Sequence, residues 1–287
     1  MDVSATKGRF GSLLLDPTTI TITDAAPVGG SLDTNAGDGT VNAADPDGVS
    51  NNTISWSTID GLGATANVSL SATGLITIAD VTGAIGGATT ASNLVLLNLT
   101  TGSLTLTSTT GGITFADPAD VIRTEGGAIT LNAATGIVAG GFNTTGATGV
   151  TNGAVNLTAG TTLSIGAPIT AGFGAPGIVT LSAGGAVSQS AAITANTLSL
   201  VGAGAYTLSN AGNNVVTLSG SGTGAVTFAD TNGFAIGGTG LTSGGNAISL
   251  STAAGGIDIA QPVNAGVGTF TLNAAGGVSG NAGAITA

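Results

Sequence analysis

Ile129-Thr130-Leu131-Asn132-Ala133-Ala134-Thr135-Gly136-Ile137 is the stretch whose reading decides the fold. Apolar Ile129 and Leu131 alternate with polar Thr130 and Asn132, the period of two expected of a strand with one buried face. Gly136 then breaks the strand, and Ile137 opens another apolar position. The pattern recurs from Val179 to Val187 and from Phe270 to Val278. With one extra residue it recurs from Leu104 to Ile113 and from Ile248 to Ile257.

Taking the central leucine as a marker, the series reads Leu106, Leu131, Leu157, Leu181, Leu200, Leu218, Leu250 and Leu272, with steps of 25, 26, 24, 19, 18, 32 and 22 residues. A loosely kept period of 18–26 residues marks a solenoid. The long step around Phe228 is read as holding an outward loop or an irregular coil. A leucine-rich repeat would need a fixed Asn, and calcium-binding nonapeptides would need GGxGxDxUx; neither pattern occurs. The expected fold is all-β, a right-handed parallel β-helix. At ~22 residues per coil and ~4.8 Å per rung, the chain makes about 13 coils and a rod about 60 Å long. Leu, Ile, Val and Ala point inward, Thr, Ser and Asn form uncharged outer ladders, and Gly at corners supplies backbone angles closed to other residues.

Composition supports this. The 287 residues include 51 Gly and 47 Thr, and only 6% are charged, against roughly 25% in an average soluble domain. Gly, Thr, Ser, Asn and Val disfavour helix by about 0.5–1 kcal/mol each relative to Ala, so almost no helix is expected. With 42% hydrophobic residues the chain has enough apolar surface to fold rather than stay disordered. No window approaches the ~18 continuous apolar residues of a membrane helix, so no membrane insertion is expected. The absence of Cys and His excludes disulfides, thiolate or imidazole zinc sites and imidazole-based triads. A net charge of −11, with only Lys7, Arg9 and Arg123 basic, argues against nucleic-acid binding.

The chain divides into first β-helical coils over 1–23, an acidic loop or irregular extension over 24–60, and regular repeats over 61–287. The extension carries Asp24, Asp33, Asp38, Asp45, Asp47 and Asp60, six of the 14 acids. Within it, Asp38, Asp45 and Asp47 are the best metal candidates, since clustered carboxylates suit the six to eight oxygen ligands of Ca²⁺; the competing reading is a solvated turn-rich loop. Asp117 and Asp120, flanking Pro118, are read as a corner or a ligand pair. Trp56 and Tyr206 are read as packing or cap residues, the alternative being stacking on a sugar ring. Gly202-Ala203-Gly204 and Gly220–Gly224 are turns, since no phosphate-loop Lys accompanies them. The sequons at Asn98, Asn143 and Asn156 are read as ladder positions. Thr19-Ile20-Thr21-Ile22-Thr23 has the look of an ice-matching row, but the outer positions drift among Thr, Ser and Asn.

The segment Gly11-Ser12-Leu13-Leu14-Leu15-Asp16-Pro17-Thr18-Thr19-Ile20-Thr21-Ile22 resembles one found in exported bacterial adhesins of the filamentous-haemagglutinin type. Ile54–Ile59, Val68–Ile78 and the Leu-Asn-Ala-Ala repeats look like the same family, although an NPNL-type motif is not seen. The resemblance implies an internal shaft segment of a β-helical passenger, exported by two-partner secretion and displayed on the bacterial outer cell surface. Its implied partners are an outer-membrane secretion protein and a receptor on a host or neighbouring cell or in the matrix. The expected function is a non-catalytic stiff stalk for attachment. The alternatives are a subunit of a self-assembling filament, because both ends read as open coils that invite strand pairing, and a carbohydrate-binding β-helix.

Overall fold

The computed structural model describes residues 12–16, 18–24, 41–42, 51–82, 93–147, 151–174, 176–280 and 283–287. Its strands form one 18-stranded and one 11-stranded sheet, and neighbouring strands pair in parallel throughout. The chain is a parallel β-solenoid. The only helix among the described residues is Trp56–Asp60, and no helix is long and apolar enough to cross a membrane.

The opening stretch shows how one coil is built. Ala128–Ala133 buries Ile129, Leu131 and Ala133 and turns Thr130 and Asn132 outward. Its neighbours in space are Ser103–Ser108 below and Val155–Ala159 above. After the Gly136 corner, Ile137–Ala139 pairs with Ile113–Phe115 and Leu163–Ile165 on a second face. Gly141–Asn143 then pairs with Val121–Arg123 and with Ile169–Thr170 on a third. The first and third faces join in the larger sheet because Ile193–Val201 bends from one to the other: Ile193 pairs with Ile169, and Leu198 with Val179.

Equivalent residues stack in register. Leu70, Leu106, Leu131, Leu157, Leu181 and Leu200 form one inner column, each paired with the next. One connected core runs from Ile20 to Ala265. Burying each leucine contributes about 1.5–3 kcal/mol, and a parallel ladder satisfies the backbone polar groups that burial would otherwise orphan.

The leucine markers belong to three columns, not one. Leu218 pairs with Leu198, two residues out of step with the Leu200 column, where Gly220 stands instead. Leu250 and Leu272 lie on the smaller sheet, over Phe228. The 32-residue step from Leu218 to Leu250 is therefore a change of face, not an outward loop. On its own face Phe228 is flanked in ordinary register by Leu208 and Leu250. The smaller sheet counts eleven strands, so the rungs are fewer than the expected 13. One reason is the wide spacing of the first coils, where Leu70 and its partner Leu106 are 36 residues apart.

The N-terminal winding steps backward. Thr19–Thr23 lies between Asn51–Ser55 on one side and Ile76–Ile78 on the other. Ser12–Asp16 likewise lies between Val41–Asn42 and Asn67–Ala72. The chain thus seats a rung beneath its own first rung before climbing back over it. By Asn51 the acidic stretch has rejoined the stack. Ser55 caps the short helix by accepting from the Thr58 N–H, as N-cap serines do. Trp56 and Ile59 from that helix are fully buried. At the other end the Phe270–Ala274 strand is only half-buried on its inner face, and Val278 and Ile285 are exposed.

Corner glycines are required by contact more than by backbone angle. A Cβ on Gly160 would lie 1.9 Å from the Ala134 carbonyl oxygen, and one on Gly184 would lie 2.3 Å from that of Gly160. Neither residue has a positive φ. Gly202, at φ 88°, does take the left-handed angle.

Leu181→Asp places an unpaired charge in the inner column and should cost at least ~4 kcal/mol, whereas outward Thr180→Asp should cost well under ~1 kcal/mol. Chemical denaturation of the two variants checks this; equal midpoints would reverse the inward assignment. Gly160→Ala should cost about 1–3 kcal/mol through overpacking, read in the same assay.

Candidate functional site

Among the described residues, polar chemistry collects at one corner of the solenoid. Ile20-Thr21-Ile22-Thr23-Asp24, Ile76-Thr77-Ile78-Ala79-Asp80 and Ile113-Thr114-Phe115-Ala116-Asp117 are variants of one phrase. Ile22, Ile78 and Phe115 are paired in register. The aspartates two residues later therefore turn the same corner in three successive rungs, ~4.8 Å apart along the axis. Asp120, three residues on, joins them by reaching down a coil, where its Oδ2 accepts from the Val81 N–H at 3.1 Å.

Backbone and side-chain donors hold the corner. The Thr82 N–H donates to Asp24 Oδ2 at 2.7 Å. Asp117 Oδ1 accepts from the Ala119 N–H at 2.8 Å, a local Asx turn. Asp117 Oδ2 accepts from Asn93 Nδ2, also at 2.8 Å. Asn93 is the only non-glycine among the described residues with positive φ, 69°, an angle Asn tolerates better than most residues. Its backbone bridges the coils, donating to Val81 O and accepting from the Val121 N–H.

Asp120 is buried at 1% exposure, and its Oδ1 has no hydrogen-bond partner among the described residues. One carboxylate oxygen from each of Asp80, Asp117 and Asp120 lies within 4.8 Å of the others. Among the described residues no cation compensates them. Lys7 and Arg9 lie outside the described residues, and Arg123 is exposed and faces Glu125 at 3.8 Å. Burial pushes the Asp120 carboxyl up to about 6; the Val81 N–H opposes the rise, and the charges of Asp117, Asp80 and Asp24 add to it.

The fourth copy of the phrase, Val226-Thr227-Phe228-Ala229-Asp230, makes a useful contrast. Asp230 stands alone, and both of its oxygens accept backbone N–H groups, from Val215 and Asn232, each at 2.9 Å. Burial raises its pKa as well, with those two donors opposing. Asp230 is a satisfied structural residue. The stacked corner is not satisfied in the same way.

Asp38, Asp45 and Asp47 fall outside the described residues. Of the corner pair, Asp117 and Asp120 do come together, and they bring Asp80 with them. Asp80 escaped the sequence reading, although the repeated Ile-Thr-Ile/Phe-Thr/Ala-Asp phrase could have found it. Trp56 and Tyr206 are buried at 0% and 1% exposure, which removes both as platforms for a sugar. Tyr206 Oη instead donates to backbone carbonyls, including that of Leu181 at 3.1 Å. Compared with protein-family models, curated proteins and solved structures, the chain has no significant match. The class it can be assigned from its own geometry is the parallel β-solenoid.

A pH dependence follows from Asp120. Its folded-state pKa of about 6 exceeds the ~3.9 of an unfolded chain. The folded protein therefore keeps a proton that the unfolded chain has released, and stability falls as pH rises through that interval. In chelator-containing buffer, the urea midpoint should drop between about pH 4 and about pH 6.5. Asp120→Asn should remove a share worth roughly 2–3 kcal/mol. An identical slope in the variant would refute the assignment.

Proposed function

We propose that this chain is a rigid, non-catalytic stalk segment of a large exported bacterial adhesin of the filamentous-haemagglutinin type, carried on the outer cell surface. The observation that supports it is the single core running from Ile20 to Ala265 beneath a face of neutral polar residues. Each rung binds only its neighbours, so the stack extends without a change of plan. A load along the axis is then shared by many parallel backbone hydrogen bonds. Outer residues such as Thr105, Thr130, Asn156, Thr180 and Ser199 stack on one another. An uncharged ladder of this kind avoids the like-charge repulsion that stacking would impose. Such a stalk would hold a receptor-binding region of the longer protein away from the membrane and would be exported through an outer-membrane partner.

The alternative is a filament subunit. It rests on the last rung, where Val278 and Ile285 are 52% and 49% exposed and Phe270 and Leu272 are half-buried. Either the next coil of the same chain or a second copy would cover them.

Antibodies against this segment should label intact cells of the source organism without permeabilisation, and deleting the gene should reduce attachment to surfaces. Labelling only after lysis would overturn the surface reading. Filaments of purified chain that vanish on Ile285→Lys would favour the subunit reading instead.

A further inference from the structure

We propose that the corner formed by Asp80, Asp117 and Asp120 binds one Ca²⁺ ion, clamping two successive coils together. Asp80 follows the Ile76–Ile78 strand, and Asp117 and Asp120 follow Ile113–Phe115 one coil later. One oxygen from each lies within 4.8 Å of the others, a spread that a single Ca²⁺ spans with bonds of about 2.3–2.6 Å. Ca²⁺ takes oxygen ligands in flexible geometry and is completed by water and backbone carbonyls. That suits a corner that offers carboxylates and neither His nor Cys.

Acidic clusters are common on protein surfaces, and three carboxylates alone would not make a site. The deciding feature is Asp120 Oδ1. It belongs to a residue 1% exposed, it has no donor among the described residues, and its carboxylate is one of the three that converge. A buried acceptor left without a donor is costly, and buried charges are ordinarily paired or coordinate a metal. No basic side chain among the described residues serves here, since Arg123 faces Glu125. Asp24, one rung below, adds further negative charge. The lone Asp230 is the internal control: the same phrase in a single rung is satisfied by two backbone N–H groups and has no acidic partners.

The arrangement also explains why like charges are stacked in register at this corner, while no other row of the described residues stacks like charges. Stacked carboxylates repel, and a divalent cation between them turns the repulsion into a cross-link. The ion would join the coil ending at Asp80 to the one ending at Asp117 and stiffen that part of the rod.

The test uses the whole 287-residue chain, stripped with EDTA, and CaCl₂ as the probe. Equilibrium dialysis should find Ca²⁺ bound at the corner, and the thermal midpoint should rise by roughly 5 °C when Ca²⁺ is about 100-fold above its Kd. Asp117→Asn and Asp80→Asn should each lose that ion and that shift, while Asp230→Asn should keep both. Near-ultraviolet and far-ultraviolet spectra matching wild type would show that the two corner variants still fold; should either fail, Asp120→Asn, which removes one charge from the same group, replaces it. Absence of any bound ion in wild type overturns the proposal. So does an ion retained by the corner variants and lost in Asp45→Asn, which would move the site into the acidic 24–60 extension. A larger shift with MgCl₂ than with CaCl₂ overturns the choice of Ca²⁺.

Discussion

Every feature of this protein depends on in-register stacking of equivalent residues from successive coils. A parallel ladder repeats each side chain directly above its predecessor at ~4.8 Å. Whatever a position carries, it therefore carries as a column. Leucine stands above leucine through the interior from Leu70 to Leu200. Glycine above a carbonyl oxygen, as at Gly160 and Gly184, makes corners that admit no side chain. Hydroxyl above hydroxyl gives an outer face free of net charge.

The same rule makes charge expensive. A single carboxylate can be absorbed, as Asp230 is, by two backbone N–H groups. A column of them cannot, because each rung adds a like charge within a few ångströms of the last and draws on the same few donors. Only 6% of the residues are charged, and among the described residues the one place where carboxylates are stacked is the Asp24, Asp80 and Asp117 corner, with Asp120 folded beneath. The fold penalises that arrangement more than any other, which is why it stands out as chemistry rather than as a solvated turn.

The two ends differ for a related reason. A rung at the edge of a solenoid exposes both its hydrogen-bonding edge and its inner residues. At the N-terminal side the backward step of the chain places a rung and the short Trp56–Asp60 helix over the core, and Trp56 and Ile59 are buried completely. At the other side Phe270 and Leu272 are covered on one side alone.

Period, polarity and glycine placement were legible in the residues alone, because strand alternation and corner composition are local properties. The alternation at Ile129–Ala133 and Val179–Ala183, the near absence of helix and the inward leucines all follow from them. What the residues could not disclose was which positions meet. Leu218 and Leu250 look like members of one series and lie on different faces, since register is set by the length of every corner between them. The backward step at Asn51 was hidden because a strand bonds equally well above or below its neighbour. The acidic corner was half visible: Asp117 and Asp120 are close in the chain, but Asp80 reaches them only through stacking, and only burial in the packed corner deprives Asp120 Oδ1 of water. Local sequence thus determined the shape of a rung, and the tertiary stack decided which rungs touch and which charges must share one space.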